Sequence, residues 1–395
     1  MAMKHIAVVG AGMGGLAFAA AMRNRDVEVT VYEQAPEIME LGAGISLFAN
    51  GTRLFEELGI ARSMADLSSE PHEFVFRNED GDVAAVQPLG RGNWYRNEYG
   101  APYYGALRRD LQSCLLRTVG RTKIHLGKQL VRFDDSEEQA RLYWADGKVD
   151  TADLVVGADG IKSVVRRGVS ESAGVRFTGN SAFRGLARTS ELTLLPEPTS
   201  ITDWMGDGKH ILNFPVGKDH GYMTIVVFFD GPDAWTHNEW RVPANPSDSL
   251  AAFEGWHPAT AQLLEHVNFA ERWGMFEVNP LPAWHRGRAV LLGDAAHGMM
   301  PHHGQGANST FEDAVALAKA LGNEALPTLT EKLSSYERER KARAERIQRA
   351  SRALNECLHR PPGPGRDRRR QVLQSLPKEF SWIHSHGRSM DVGAL

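Results

Sequence analysis

The stretch His5-Ile6-Ala7-Val8-Val9-Gly10-Ala11-Gly12-Met13-Gly14-Gly15 decides the architecture of this chain. A short apolar run ends in a glycine loop, the pattern of a buried parallel strand followed by a tight turn. Gly15 to Arg23 is rich in Ala, Leu and Met, which favours a helix. Val27 to Tyr32 alternates and carries β-branched residues, which favours a second strand. Strand, loop, helix and strand in that order make a βαβ unit. Gly10 permits the turn, Gly12 leaves room for a pyrophosphate, and Gly15 lets the helix approach the strand. Met13 and Gly14 lie where free backbone N–H groups at a helix N-terminus favour negative charge. Glu33 follows Gly10 by 23 positions, with Gln34 beside it, and is placed to accept hydrogen bonds from a ribose. The motif predicts a dinucleotide site without choosing between FAD and NAD.

The 395 residues suffice for two domains sharing an interface. A 42% hydrophobic and 24% charged composition is that of a folded globular protein. The net charge of −4 offers no global basic field for nucleic acid. Cys114 and Cys357 cannot build a disulfide framework and fit a reducing interior. No apolar run reaches the roughly 18–20 residues of a membrane span, and Ile6–Gly10 is too short for a signal peptide. A cytoplasmic protein with neither a membrane nor a nucleic-acid partner is expected, as a monomer or homodimer.

Further strands are expected at Leu154–Gly157 and Ala289–Leu292, each ending in Gly-Ala-Asp or Gly-Asp. From about 180 to 275, short runs such as Thr224–Phe229 alternate with turn residues, as in an antiparallel sheet. Glu331 to about His359 is spaced for a long helix, ended by Pro361-Pro362-Gly363-Pro364-Gly365. The basic run Arg366-Asp367-Arg368-Arg369-Arg370 reads as a solvated, mobile face. The expected fold is α/β: a three-layer Rossmann-like domain, an inserted and mainly antiparallel β-sheet substrate domain, and a C-terminal helical region.

Two more motifs select the cofactor. One is Val156-Gly157-Ala158-Asp159-Gly160, and the other is Gly293-Asp294-Ala295-Ala296-His297 followed by Pro301-His302-His303-Gly304-Gln305-Gly306-Ala307-Asn308. With these in place after the glycine loop, the sequence resembles the flavoprotein aromatic hydroxylases of the para-hydroxybenzoate and salicylate hydroxylase type. Within them it looks most like the 6-hydroxynicotinate and salicylate monooxygenases. The resemblance implies an FAD-binding domain from residues 1–75, 106–178 and 277–330, a substrate domain from 76–105 and 179–276, and a helical region at 331–395. It also implies that Glu33 holds the adenosine ribose and Asp294 the ribityl chain. Arg108, in Arg108-Arg109-Asp110-Leu111, would contact the cofactor, and Asp159-Gly160 would lie near the pyrophosphate and take part in NAD(P)H binding. Gly44 is counted with the cofactor positions. Independently of the resemblance, Gly304 and Gly306 let backbone approach a flat ring, and a helix starting near Ala307 or Asn308 would aim its positive end at that ring.

The activity implied is NADH- or NADPH-dependent hydroxylation of a small aromatic or heteroaromatic substrate by O2, through a flavin C4a-hydroperoxide. Such chemistry needs an apolar pocket with one or two titratable groups. His210, on a predicted strand, is the leading candidate, with Pro301 and His302 where the family's loop passes the flavin edge. Ser46, Asn213, Phe214, Tyr222 and His303 are pocket candidates. Ser46 and Phe214 stand where the hydroxynicotinate enzyme has a histidine and a tyrosine, which makes this pocket more apolar. His297, His302 and His303 lack the companions of a metal site, so no metal is expected. Epoxidation or indole or olefin oxygenation in a biosynthetic pathway is the alternative chemistry, and a non-catalytic flavin-fold binding protein the non-enzymatic one. Trp235 and Trp240 are spaced wrongly for the tryptophan segment of flavin-dependent halogenases.

Overall fold

A six-stranded sheet has the order 285–286, 289–291, 154–157, 5–9, 28–32, 123–125. The computed structural model describes residues 3–38, 44–120, 122–136, 138–170, 174–237, 239–359 and 364–388; Gly42, Ala43 and Pro361 to Gly363 lie outside them. The sheet is parallel except at its 285–286 edge. Strands His5–Val9, Leu154–Gly157 and Ala289–Leu291 are almost wholly buried, which is why they read as unbroken apolar runs. Helix Met13–Met22 packs against helix Gln305–Leu321. A Cβ on Gly15 would stand 1.9 Å from the carbonyl oxygen of Gly10, so the helix meets the strand end only because residue 15 is glycine; Gly10 itself turns at φ +105°, where a Cβ would stand 2.4 Å from the carbonyl oxygen of Ala158.

Helix Gln305–Leu321 begins two residues before the earlier of the starts expected at Ala307 or Asn308. Gly304, at φ +61°, ends a 3-10 turn over Pro301–His303 and releases the chain directly into the helix.

A separate eight-stranded sheet has the order 241–243, 267–278, 175–188, 222–230, 209–216, 201–206, 73–78, 83–88. All its pairs are antiparallel except 201–206 with 73–78. Its strand His210-to-Phe214 segment obeys the two-residue period, so His210, Leu212 and Phe214 share a face and Ile211 and Asn213 share the other. Three short antiparallel strands at 130–135, 140–144 and 149–152 and a pair at 44–47 and 104–107 complete the sheets.

Helix Leu329–Leu358 starts on a capping box between Thr328 and Glu331. Its Arg340, wholly buried, donates to Asp313 Oδ1 at 2.8 Å and ion-pairs with Glu312, while Arg343 donates to both Glu312 oxygens at 2.8 Å. Burial opposes ionisation of Glu312, but Arg340 and Arg343 override it and hold its pKa near about 2.

The basic run is solvated only in part: Asp367, Arg368 and Arg370 are exposed as expected from sequence, whereas Arg366 and Arg369 are engaged. It lies in helix Pro364–Glu379, where Arg366 pairs with Glu79 and Asp80, and buried Arg369 donates to Asn78 Oδ1 at 2.7 Å. Arg366 and Arg369, three apart, face the 73–88 hairpin together, which the charge count alone does not reveal.

Replacing Arg340 with Ala would take one charged partner from each of two buried carboxylates, Glu312 and Asp313. The Arg340→Ala protein should lose about 3–5 kcal/mol of stability in denaturant unfolding; a loss under about 1 kcal/mol would show that water or Arg343 replaces the guanidinium.

Candidate active site

One cavity of ≈ 500 Å³ runs from the glycine loop to the eight-stranded sheet. At one end it meets Gly12, Met13, Gly14, Arg108, Gly160 and Asp294, brought from four chain segments to the edge of the parallel sheet. Gly304, Gly306 and Ala307 border its middle. At the other end His210, Leu212 and Phe214 face it from their strand, across from the C-terminal helices.

The glycine-lined end tests what it can hold. A Cβ on Gly12 or Gly306 would meet nothing within 4 Å, so backbone there fronts open space. Helices Met13–Met22 and Gln305–Leu321 both start without a side-chain cap, leaving first-turn N–H groups for an anionic or electron-rich ligand. The Asp294 carboxylate is exposed at the cavity. Bare N–H groups, a carboxylate and an arginine suit pyrophosphate, sugar hydroxyls and a flat ring.

Not every sequence-predicted cofactor residue lines this cavity. Glu33 accepts from the backbone N–H groups of Ala11 (2.8 Å) and Ala35 (2.9 Å), bracing the glycine loop, and Gln34 is exposed beyond it. Asp159 accepts from Ser163 Oγ (2.5 Å) and the N–H groups of Val164 (2.7 Å) and Val165 (3.2 Å), so its side chain anchors the start of the next helix while Gly160 meets the cavity. Asn308 ties helix Gln305–Leu321 to strand 44–47, accepting from Phe48 N–H (2.9 Å) and donating to Ser46 C=O (3.0 Å). Gly44 and Ser46 line the cavity from that strand.

Among pocket candidates, His210, Phe214, Pro301, His302 and His303 all line the cavity. Asn213 does not. It points to the opposite sheet face, where its Oδ1 accepts from Trp204 Nε1 at 2.9 Å, because neighbouring residues of a strand face opposite ways. Tyr222 also stands outside the lining, packed near Arg188.

His210 is held by a chain the sequence did not reveal. Its Nδ1 lies 2.6 Å from His359 Nε2, and His359 Nδ1 lies 2.5 Å from Asp230 Oδ1. Burial raises the Asp230 carboxyl, but the hydrogen bonds from His359 and from Asn180 Nδ2 (2.7 Å) bring it below its ordinary range, so it accepts only. In the neutral chain His359 therefore donates from Nδ1, and His210 donates from Nδ1 to His359 Nε2. This leaves His210 Nε2 bare and facing the cavity. Its ring also stacks on Phe228, with centroids 4.4 Å apart. Burial, and then the neighbouring rings of His359 and His302, hold His210 neutral far below the usual histidine range.

His302 has both ring nitrogens, and His303 its Nε2, buried without a partner. Burial lowers His303 to about 4 and His384 to about 3. His384, which lies 2.6 Å from Tyr95 Oη through Nδ1, joins the lining from a helix near the C-terminus. Asp203 lines the cavity beside Leu212. No motif marks Asp203, His359 or His384. They are single residues at a strand position and on the C-terminal helices, and only packing brings them here. His297 instead bonds Asp313 Oδ2 at 2.5 Å, away from His302 and His303. Among the described residues no cluster of three or more His, Cys, Asp or Glu could hold a metal.

The family model described as FAD binding domain matches residues 3–351. The chain is 35% identical over 385 residues to 3-amino-4-hydroxybenzoate 2-monooxygenase of Streptomyces cremeus, covering 96% of this chain and 94% of that one. It belongs to the FAD-dependent aromatic monooxygenases. Another relative of this monooxygenase, 6-hydroxynicotinate 3-monooxygenase of Bordetella bronchiseptica, is 35% identical with 88% and 90% of the two chains covered. A salicylate hydroxylase solved as a substrate complex superposes with a TM-score of 0.82 at 28% identity, covering 98% and 96% of the chains. The monooxygenase is thus an FAD-dependent hydroxylase of salicylate hydroxylase type, using NAD(P)H as reductant. No helix among its described residues is long and apolar enough to cross a membrane.

Gly12 has φ −71°, which any residue adopts, and open space at its Cβ. Gly12→Leu should therefore fold with unchanged thermal stability when free of cofactor, yet purify colourless and fail to regain flavin bands with added FAD. Normal flavin bands in that variant would place the cofactor elsewhere.

The buried histidines set an acid limit. His210, His302, His303 and His384 are all lowered in the folded state, so the unfolded chain takes up more protons than the folded one below the ordinary histidine value of 6.5. Stability should fall as pH drops through 6.5, before carboxylates titrate. Thermal melts flat from pH 7 to 5 would contradict this.

Proposed function

We propose that the monooxygenase hydroxylates a small ring that already bears a hydroxyl group, and that His210 Nε2 accepts the proton of that hydroxyl. The observation carrying this reading is the His210–His359–Asp230 chain, which presents an unprotonated nitrogen to a mostly aromatic and aliphatic cavity. Removing a phenolic proton raises electron density on the ring and makes it the better partner for an electrophilic oxygen. Bound FAD, reduced by NADH or NADPH, is the group that activates O2 and supplies that oxygen.

Each protein group then has a separate task. Gly12, Met13, Gly14 and Arg108 would hold the pyrophosphate end, Asp294 would accept from the ribityl hydroxyls, and Gly304 to Ala307 would border the ring. Glu33 keeps the glycine loop in shape and would accept from the adenosine ribose with its remaining lone pairs, and Asp159 and Asn308 hold the surrounding backbone. Ser46, Phe214 and His303 shape the substrate end. Pro301 and His302 form the turn between the two ends. Asp230, about half exposed, stabilises the positive charge that His210 and His359 share after proton transfer. Phe228, Leu354 and Leu358 exclude water from the reacting ring.

The relatives named above act on rings that carry a hydroxyl, which supports the same substrate class. His210→Ala should slow substrate-stimulated NAD(P)H oxidation about 100-fold with little change in flavin content. Unchanged rate and unchanged H2O2 release in that variant would make His210 a packing residue only.

A further inference from the structure

Asp203 sits on strand 201–206, in register with Leu212 on one side and Phe76 on the other, and all three line the cavity. Its side chain is almost fully buried, and its Oδ1 has no hydrogen-bond partner. A buried carboxyl oxygen without a partner is costly in a folded protein and rare unless a ligand or water supplies the missing donor. The same oxygen lies 4.0 Å from His210 Nε2, too far for a bond between them. Two acceptors thus stand side by side over one wall of an apolar cavity. The gap is one that vicinal substituents on a single aromatic ring bridge, each a hydrogen bond away from its own acceptor.

We propose that Asp203 and His210 form a paired subsite for an aromatic ring carrying a second hydrogen-bond donor, amino or hydroxyl, ortho to the hydroxyl that His210 deprotonates. The inference rests on His210 acting as the proton acceptor and adds what determines specificity. Asp203 accepts from the second donor. Burial holds the carboxyl well above its ordinary range, so near neutral pH it meets a neutral amine or hydroxyl without placing a second charge in the pocket. Its carbonyl oxygen remains an acceptor in either state. A ring with hydrogen or methyl at that position leaves Asp203 unpaired and binds more weakly.

The test measures dissociation constants of the FAD-loaded enzyme by flavin fluorescence for four probes: 4-hydroxybenzoate, 3-methyl-4-hydroxybenzoate, 3-amino-4-hydroxybenzoate and 3,4-dihydroxybenzoate. The wild type should bind the amino and dihydroxy compounds at least about tenfold more tightly than the other two. Asp203→Leu should erase that preference, and Asp203→Asn, which keeps an acceptor, should retain most of it. Asp203→Leu also removes an unpaired buried carboxyl, so its cofactor-free melting temperature should hold or rise. Should it misfold, Asp203→Ser provides the same comparison. Equal affinities across the four probes in the wild type, or a preference that survives in Asp203→Leu, would overturn the subsite. Wild-type NAD(P)H oxidation separates the two levels. If no hydroxylated ring stimulates it, the proton-acceptor reading falls as well; if simple phenols stimulate it and ortho donors give no advantage, only the Asp203 subsite falls.

Discussion

Asp313 is the point on which the site depends. Its Oδ2 accepts from Gly293 N–H at 3.0 Å and lies 2.5 Å from His297 Nε2, while its Oδ1 takes Arg340 at 2.8 Å. One carboxylate therefore joins the end of a parallel strand, the helix that borders the cavity, and the long C-terminal helix. Removing such a charge from water is expensive, and the cost is met only when every partner is present and well placed. Glu312 repeats the arrangement with Arg340 and Arg343. The outcome is a fixed geometry between three segments far apart in the chain.

That geometry builds the far wall of the cavity. Because Arg340 and Arg343 seat the long helix, its later turns carry Leu354, Leu358 and His359 to the eight-stranded sheet. The following helix continues the wall with Leu376, Pro377 and Phe380, anchored by Arg366 and Arg369 against the 73–88 hairpin. Without this docking His210 would have no partner for Nδ1, and nothing would decide which ring nitrogen faces the substrate. A packing contact near the glycine-loop end thus supplies the hydrogen-bond partner of a histidine on another sheet.

The cavity is dry by composition, and its few polar groups are selected by what they can still bind. His210 Nε2, the His302 nitrogens and Asp203 Oδ1 all face inward, the last two without protein partners. Burial keeps the imidazoles neutral, so they offer acceptor and donor atoms without a fixed positive charge beside the reacting ring. Such a wall suits an aromatic ring that carries polar substituents.

The cofactor end was legible because its chemistry is backbone chemistry. Gly10, Gly12 and Gly15 are required by a turn, an open approach and a close contact that no other residue allows, so spacing alone carries them. Apolar runs marked the parallel strands, and alternation marked the antiparallel sheet, since both follow from local burial. Asn213 was misread as a pocket residue because a motif locates a strand without saying which face its members present. Asp203, His359, His384 and the docked arginines left no local signal, because each acts through partners 100 or more positions away or through a gap in partners. The sequence by itself determined the fold class and a dinucleotide site, through glycine geometry and hydrophobic period, while its resemblance to the flavoprotein hydroxylases pointed to the flavin and the kind of reaction. Only the tertiary structure decided which imidazole nitrogen is bare, which carboxyl lacks a donor and what closes the cavity, because those depend on long-range burial and ion pairing that no short stretch encodes.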